Sequence, residues 1–401
     1  SNVEGELLFF SIKEMNVANA GAKALIVYNN QPGIFLGELI HEFSEPGYIP
    51  QIPVVSVDRE EGLEIIELIR NDDEGIIHLF YNPDFIAHFS SRGPVSPFYI
   101  KPDIVAPGAY INTTQNNGIY NFTSGTSFAA PHVTGAAALL LQKNPELENH
   151  EIKSLLLTTV KPVSDAYGQK FSLHESGSGR LDIANAYNAK LIINPTNFVI
   201  NFSADQPSVK KQLELKLIQG TLEKIDVNFE GPEFIEFTHK IKDNNLQIGL
   251  NIDGEKYGEY ESKIFIKHEE IRYTIPILIH YTEGSISAYQ ENEKLFFEIK
   301  HPDKWSFAKI TITNSKNGST DTITTTPDKK MSLEIYENGE YWIDAKIKMD
   351  GGTSDAFNTI KITSLSEKVE KIELGNIPER QIILIVSIIA IIGIVGLLIR
   401  R

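Results

Sequence analysis

Ser127 stands in the run SGTSFAAPHVTGAAALL, residues 124–140, where residue types and spacing could do chemistry. Gly125 lets the backbone turn tightly and approach a ligand closely. The small residues that follow predict a helix with Ser127 in its first turn. Backbone N–H groups there lack intrahelical partners, and the helix dipole is positive. Such donors stabilise a negative oxygen developing on a carbonyl. A serine hydroxyl becomes a nucleophile when a base takes its proton and a carboxylate orients that base. An isolated serine at this place is more often a helix N-cap. Ala129, Ala130, Gly135, Ala136, Ala137 and Ala138 make the helix thin, and Leu139, Leu140 and Leu141 extend its apolar surface. A fully buried helix is therefore expected, with the hydroxyl presented at its mouth. Pro131 falls within the first turns, where proline is best tolerated.

The elements that must position this serine can be read on both sides of it. Upstream, GELLFF, KALIVYN and IPVVSV predict short buried strands. IKEMNVANAGA and REEGLEIIELIR predict helices, the second with Leu63, Ile65, Ile66, Leu68 and Ile69 on one broad apolar face. Residues 1–82 thus form a small α/β module. FIAHFSS and KPDIVAPG predict short strands ahead of the serine helix. Two further helices follow, over 149–160 and in GRLDIANAYNA. From residue 194 the pattern changes to period two. QLELKLI, KIDVNFE, LQIGLNI, SKIFIKH and IRYTIPILIHY predict a β-sandwich over 194–282. KLFFEIK, AKITITN, MSLEIYE and YWIDAKIKM predict a second over 286–365, with residues 281–285 as linker. Residues 351–380 are polar, and 366–380 read as a stalk.

The chain of 401 residues carries a formal net charge of −16, which argues against a nucleic-acid partner. It has no cysteine, so disulfides, thiolate metal sites and cysteine catalysis are excluded. It begins SNVEGELLFF, without a signal-peptide pattern. It ends QIILIVSIIAIIGIVGLLIRR, where 382–399 holds no charge and is just long enough to span a bilayer. A transmembrane helix is expected over 381–399, with Arg400 and Arg401 on the cytoplasmic side and the body of the protein outside.

The serine run resembles the nucleophile segment of the subtilisin-like serine proteases, the subtilases (peptidase S8 family). Gly125, Thr126, Ser127, Ala129, Pro131, His132, Val133 and Gly135 match the family pattern. FSSRGP at 89–94, KPDIVAPG at 101–108 and GSGRLDIANAY are similar to further segments of that family, in the family's order. The resemblance covers about residues 85–190. NAGAKALIVYNN followed by IPVVSV resembles the protease-associated (PA) domain, which some subtilases carry between the oxyanion-hole asparagine and the serine segment.

The resemblance implies a multidomain chain. A PA domain cut at its N-terminus would occupy 1–82, and the C-terminal part of an α/β subtilase catalytic domain 83–190. Two sandwiches of fibronectin or immunoglobulin kind would follow, then the stalk and a C-terminal transmembrane helix. It implies Ser127 as the nucleophile of a serine endopeptidase, with Gly125, Thr126 and Phe128 on the oxyanion and substrate side. His132, Pro131 and Gly135 are structural members of the motif, as is Asp103 in KPDIVAPG; His88 reads as structural too. No His-Gly-Thr or Asp-[Ser/Thr]-Gly segment occurs among the residues. The catalytic Asp and His and the oxyanion Asn are therefore expected upstream of Ser1, in a longer precursor, and this chain alone is expected to be inactive. The chemistry implied needs no cofactor. A structural calcium ion is left open, with NDDEG at 71–75 reading as a solvated turn rather than a calcium loop. Polypeptide substrates and the lipid bilayer are the partners implied. The rival reading is a non-catalytic cell-surface binding or adhesion protein on a pseudoprotease scaffold.

Overall fold

The computed structural model describes residues 9–32, 39, 48–71, 75–76, 84–165, 168–222, 225–254, 256–327, 329 and 331–363. Two compact units emerge, Ser1–Phe85 with Val163–Lys170, and Ile86–Pro162 with Phe171–Arg401.

In the first unit, α1 (Phe10–Asn19) precedes β1 (Leu25–Tyr28), and β2 (Val54–Val57) leads into α2 (Arg59–Arg70). β1 and β2 pair in parallel, Leu25 opposite Val54 and Tyr28 opposite Val57. Asp58 and Glu61 close a capping box: Glu61 N–H donates to Asp58 Oδ1 at 2.7 Å, and Asp58 N–H to Glu61 Oε2 at 3.4 Å. Gly62 lets α2 approach β1, since a Cβ there would fall 2.3 Å from Tyr28 Cβ. Of the expected apolar face of α2, Ile65 and Ile66 are half-buried, while Leu63, Leu68 and Ile69 are exposed. Glu14 is fully buried and accepts from Tyr48 Oη at 2.6 Å, Gln51 N–H at 2.7 Å and Ile52 N–H at 2.9 Å. Burial opposes its ionisation, but these three donors outweigh burial and hold the carboxyl below its usual range. Most of the GELLFF stretch lies outside the described residues, and its Phe10 opens α1.

The second unit begins without the strands expected in FIAHFSS and KPDIVAPG. Residues 84–104 contain only turns, bends and the short bridge between Ser96 and Tyr99. Val105 makes a single parallel bridge to Arg180. A hairpin of β3 (Ile111–Thr114) and β4 (Tyr120–Thr123) leads into α3 (Thr126–Lys143). Then come α4 (Asn149–Thr158), the one-turn α5 (Leu173–Ser176) and α6 (Ile183–Asn188), which Asp182 caps through Asn185 N–H at 3.0 Å.

The first sandwich is built from β5 (Leu191–Asn194), β6 (Phe198–Ser203), β7 (Ser208–Leu217), β8 (Asp226–Glu230), β9 (Ile235–Lys242), β10 (Asn245–Ile252), β11 (Gly258–His268) and β12 (Ile271–Thr282). One sheet runs β5-β7-β10-β9 and the other β6-β12-β11-β8. All pairs are antiparallel except β6 with β12, where Phe198 lies opposite Ile277. The second sandwich comprises β13 (Ser285–Glu291), β14 (Lys294–Lys300), β15 (Trp305–Asn314), β16 (Thr320–Thr325), β17 (Met331–Glu334), β18 (Gly339–Met349) and β19 (Gly352–Ile362). Its sheets are β13-β14-β17 and β16-β15-β18-β19. The linker expected at 281–285 shrinks to Glu283 and Gly284, because β12 runs to Thr282 and β13 starts at Ser285. Part of the polar stretch after 350 is strand: β19 pairs with β18 along its whole length. The stalk and the span expected over 381–399 lie outside the described residues. Among the described residues, no helix is long and apolar enough to cross a membrane.

One hydrophobic core joins the helices to the first sandwich. Ala136 and Leu140 of α3, Leu155 and Leu156 of α4, and Ala186 of α6 share it with Leu191, Leu213, Ile248 and Ile275. A buried serine bolts α4 to β5. Ser154 Oγ donates to Ile193 C=O at 2.8 Å and accepts from Ile193 N–H at 2.8 Å. Glu151, also buried on α4, accepts from Glu148 N–H at 2.9 Å and pairs with Lys216 of β7. Burial opposes the charge on Glu151, yet the Lys216 ammonium and the backbone donor outweigh it and hold its carboxyl below the usual range.

Two outcomes follow from this junction. Ser154→Ala leaves both backbone groups of Ile193 without that hydroxyl and is expected to cost about 1–3 kcal/mol in urea unfolding. A depressed carboxylate stabilises the fold above its unfolded pKa, and that stabilisation is lost as pH falls through the folded pKa. Glu151→Gln is thus expected to lower stability at neutral pH and flatten the acid limb of the stability–pH curve below about pH 5.

Candidate active site

The serine motif is built where β4 turns into α3. Gly125 is the residue before the helix, and its φ of 157° with ψ of 152° suits glycine. Its N–H donates to Gly108 C=O at 2.7 Å, and its C=O accepts from Phe128 N–H at 3.0 Å. Gly108 in turn allows the two backbones to meet: a Cβ there would fall 3.0 Å from Gly125 O and 3.2 Å from Ala129 Cβ. Ser124 Oγ accepts from Tyr110 N–H at 2.9 Å, which ties the start of the β3–β4 hairpin to the same turn. Gly108, Tyr110 and Ser124 were not singled out from sequence. The Pro-Gly end of KPDIVAPG was the available signal for Gly108.

Ser127 is the second residue of α3, exposed, and its hydroxyl has no hydrogen-bond partner among the described residues. Its own N–H lies in the first turn, where no intrahelical acceptor exists. Thr126 is exposed beside it, and Phe128 is half-buried with its ring against Gly125. A hydroxyl and a main-chain donor thus face outward from one residue at the positive end of an 18-residue helix. Such a pair can attack a carbonyl and stabilise the resulting oxyanion.

The expectation of a fully buried helix needs correction. Ala136 and Leu140 are its buried residues, whereas Ala130, Pro131, Thr134, Gly135, Ala138, Leu139 and Leu141 are exposed. The small residues do thin the helix, but only one of its faces meets the common core. A Cβ at Gly135 would touch nothing within 4 Å.

His132 is half-buried and its Nδ1 lies 2.8 Å from Phe128 O, one turn back on the same helix. The carbonyl only accepts, so Nδ1 carries the proton in that bond. The other described histidines are also engaged away from Ser127. His88 meets the Phe89 ring edge-on, and His150 lies beside Glu148. His174 and His280 flank Glu259, at 2.8 and 3.5 Å. His239 stacks on Phe237, His268 contacts Thr221 O, and His301 accepts from Asp303 N–H. His41 and His78 lie outside the described residues.

The neighbouring segments form a support behind the serine turn. Gly93 N–H donates to His174 C=O at 2.8 Å. Val105 N–H donates to Gly179 C=O, and Leu181 N–H to Val105 C=O. Gly177, at a φ of 57°, comes so close to Pro102 and Asp103 that a Cβ would lie 2.2 Å from Pro102 O. Asp103 pairs with Lys101 and with Lys153 of α4, the latter at 3.0 Å. Burial works against its charge, but the two lysines outweigh it and depress its pKa. Asp103 is thereby a cross-brace between the 101–108 segment and α4. Among the described residues, no group of three or more His, Asp or Glu could hold a metal ion. Residues 72–74 of the acidic turn lie outside the described residues.

Gly108→Val is expected to separate Gly125 N–H from its acceptor. In hydrogen exchange, the Gly125 amide should then exchange about tenfold faster, as for a lost bond of about 1.4 kcal/mol.

Comparison with known proteins gives two family matches. Residues 42–179 match the model of the subtilase family, and residues 3–65 that of the PA domain. The minor extracellular protease Vpr of Bacillus subtilis is 30% identical over 282 residues, which is 64% of this chain and 34% of that protein. The PII-type proteinase of Lactococcus lactis subsp. cremoris is 30% identical over 264 residues, covering 60% of this chain and 13% of that protein. The chain thus spans about a third of the first relative and about an eighth of the second. The fn3 domain of the human collagen alpha-1(XX) chain matches 23% of this chain and 90% of its own, at 10% identity and a TM-score of 0.20.

Proposed function

The chain belongs to the subtilase family and carries a PA domain, and on that premise we propose that it is the serine-bearing part of a serine endopeptidase acting outside the cell. The observation that carries the reading is Ser127: exposed, without a hydrogen-bond partner for its hydroxyl among the described residues, and second in a helix whose preceding glycine is fixed by Gly108. Ser127 Oγ attacks the scissile carbonyl, and the Ser127 N–H stabilises the oxyanion. The hydroxyl proton passes to an imidazole and from there to the leaving amine; water then releases the acyl group by the reverse steps. The imidazole, its orienting carboxylate and a second oxyanion donor come from polypeptide outside this chain. The engagement of the described histidines elsewhere supports that assignment.

An external location is supported by the uncharged run 382–399 with Arg400 and Arg401 behind it. It is also supported by the extracellular protease among the relatives. On this reading residues 381–399 anchor the protein in the membrane, with the sandwiches between the bilayer and the serine.

The test is labelling with a fluorophosphonate, which reacts with activated serines. The protein isolated from its own cells, captured through the sandwiches, should label, and Ser127→Ala should abolish labelling with the thermal transition unchanged. The 401-residue chain alone should not label. Absence of labelling in the folded native protein would establish the rival, a protease scaffold that binds without cutting. Ser127-dependent peptide hydrolysis by the chain alone would overturn the assignment of the base to other polypeptide.

A further inference from the structure

The outward face of sheet β5-β7-β10-β9 departs from the acidic character of the whole chain. Leu246, Ile248, Leu250 and Ile252 of β10 point into the core, so Asn245, Gln247, Gly249 and Asn251 point out. The registers with β7 and β9 then set two central rows on that face. One is Gln212, Gln247 and Lys240; the other is Lys210, Gly249 and Thr238. These residues line an open trough of about 550 Å³. Its floor is Gly249, where a Cβ would fall 2.6 Å from Thr238 Oγ1.

Lys210, Lys240 and Gln247 are the uncommitted side chains of the trough; the Thr238 hydroxyl donates to Gly249 C=O at 3.5 Å and keeps its acceptor capacity, and the groups at the trough's ends are bonded. Ser208, Asn251 and Glu236 hydrogen-bond among themselves at one end, and Gln212 Nε2 donates to Asn245 Oδ1 at the other. Lys210 and Lys240 make no ion pair and Gln247 no side-chain hydrogen bond among the described residues. Elsewhere on the same sandwich Lys190 and Lys216 are paired with Glu269 and Glu151. Lys242, in the row of Asn245, adds a third ammonium without an ion pair among the described residues, opposed on that face by Glu214 and Glu236. Against a net charge of −16 for the whole chain, Lys210 and Lys240 around a bare glycine floor, with Lys242 beyond them, form a local reversal of sign.

We propose that this trough binds an acidic polysaccharide, a glycan bearing carboxylate or phosphate groups. Lys210 and Lys240 sit about 12 Å apart across two strand spacings and one two-residue step, so they suit an extended polyanion better than a small ion. The amide of Gln247 and the hydroxyl of Thr238 match a polymer rich in hydroxyl groups. None of the side chains in the two central rows is a large apolar or aromatic group; of the other lining residues Ile248 is buried and His239 stacks on Phe237. Stacked bases and apolar peptide anchors both use such groups. This inference is independent of the reading of Ser127.

The full chain in non-ionic detergent is immobilised and exposed to polygalacturonate, neutral dextran, poly-dT and poly-glutamate at about 20 mM salt, where surface charge is least screened. Polygalacturonate is expected to bind and to weaken steeply with salt, and dextran not to bind. Lys210→Glu with Lys240→Glu should weaken binding at least tenfold. The equal charge change Lys294→Glu with Lys304→Glu, on the second sandwich, should alter it less than twofold. Lys210→Gln with Lys240→Gln serves if charge reversal disturbs folding, and should also weaken binding. The proposal is overturned if polygalacturonate does not bind, or if both glutamate pairs act equally. Tighter binding of poly-dT or poly-glutamate at the same lysines would also overturn it.

Discussion

The serine helix α3 has one buried edge, and that edge lies in a core it does not own. Ala136 and Leu140 are covered by residues that continue without a break into the first sandwich. Burying a leucine side chain is worth about 1.5–3 kcal/mol, and the helix, thinned by alanine and glycine, has few such contacts of its own. Its placement therefore depends on α4 and α6, and theirs on β5 and β12. The buried Ser154 hydroxyl and the Glu151–Lys216 pair fix that dependence at two polar points. In this chain the sandwich is part of the mount on which Ser127 stands, not an appendage joined by a tether.

The opposite face of the sandwich is used in the same way. Along β12, Tyr273, Ile275, Ile277 and Ile279 enter the common core. Leu278 points the other way and is buried with Ile100 and Leu173. His280, also on the outer face, lies 2.8 Å from Pro97 O and packs on the Phe357 ring of β19. Phe98 stacks on Trp342 of β18 with ring centroids 5.7 Å apart, and Tyr99 lies 5.3 Å from the same ring. The segment 92–100 is thus held by both sandwiches although it contains almost no regular structure of its own. From it the chain runs through Val105 to Gly108 and so to the turn before Ser127.

Much of the site was legible because its requirements are local. Gly125 before Ser127 is a statement about backbone freedom, and first-turn placement follows from a cap followed by small apolar residues. The helix α2 was legible from REEGLEIIELIR, and the structure adds the capping box of Asp58 and Glu61 that starts it. Period-two patterns marked β7, β10, β11, β14 and β18, since one face of each meets a core and the other meets water. Where two faces are covered, the pattern carries less information. β12 was among the period-two runs, yet its outer face is buried too, and nothing in IRYTIPILIHY says by what.

Sequence alone determined the motif, the family resemblance, the presence of many of the helices and strands, and the candidate side chain, Ser127. Each of these depends on residues close together in the chain. The tertiary structure decided which faces are covered, and that depends on partners far away. The segments FIAHFSS and KPDIVAPG have strand-like composition but form no sheet ladder: in the first, Ser90 N–H turns back to Ala87 C=O, and the second exchanges hydrogen bonds with Ser178, Gly179 and Leu181. The serine helix has the composition of a buried one, yet only its Ala136–Leu140 edge found neighbours. Burial is a property of two surfaces, and a sequence pattern reports only one of them.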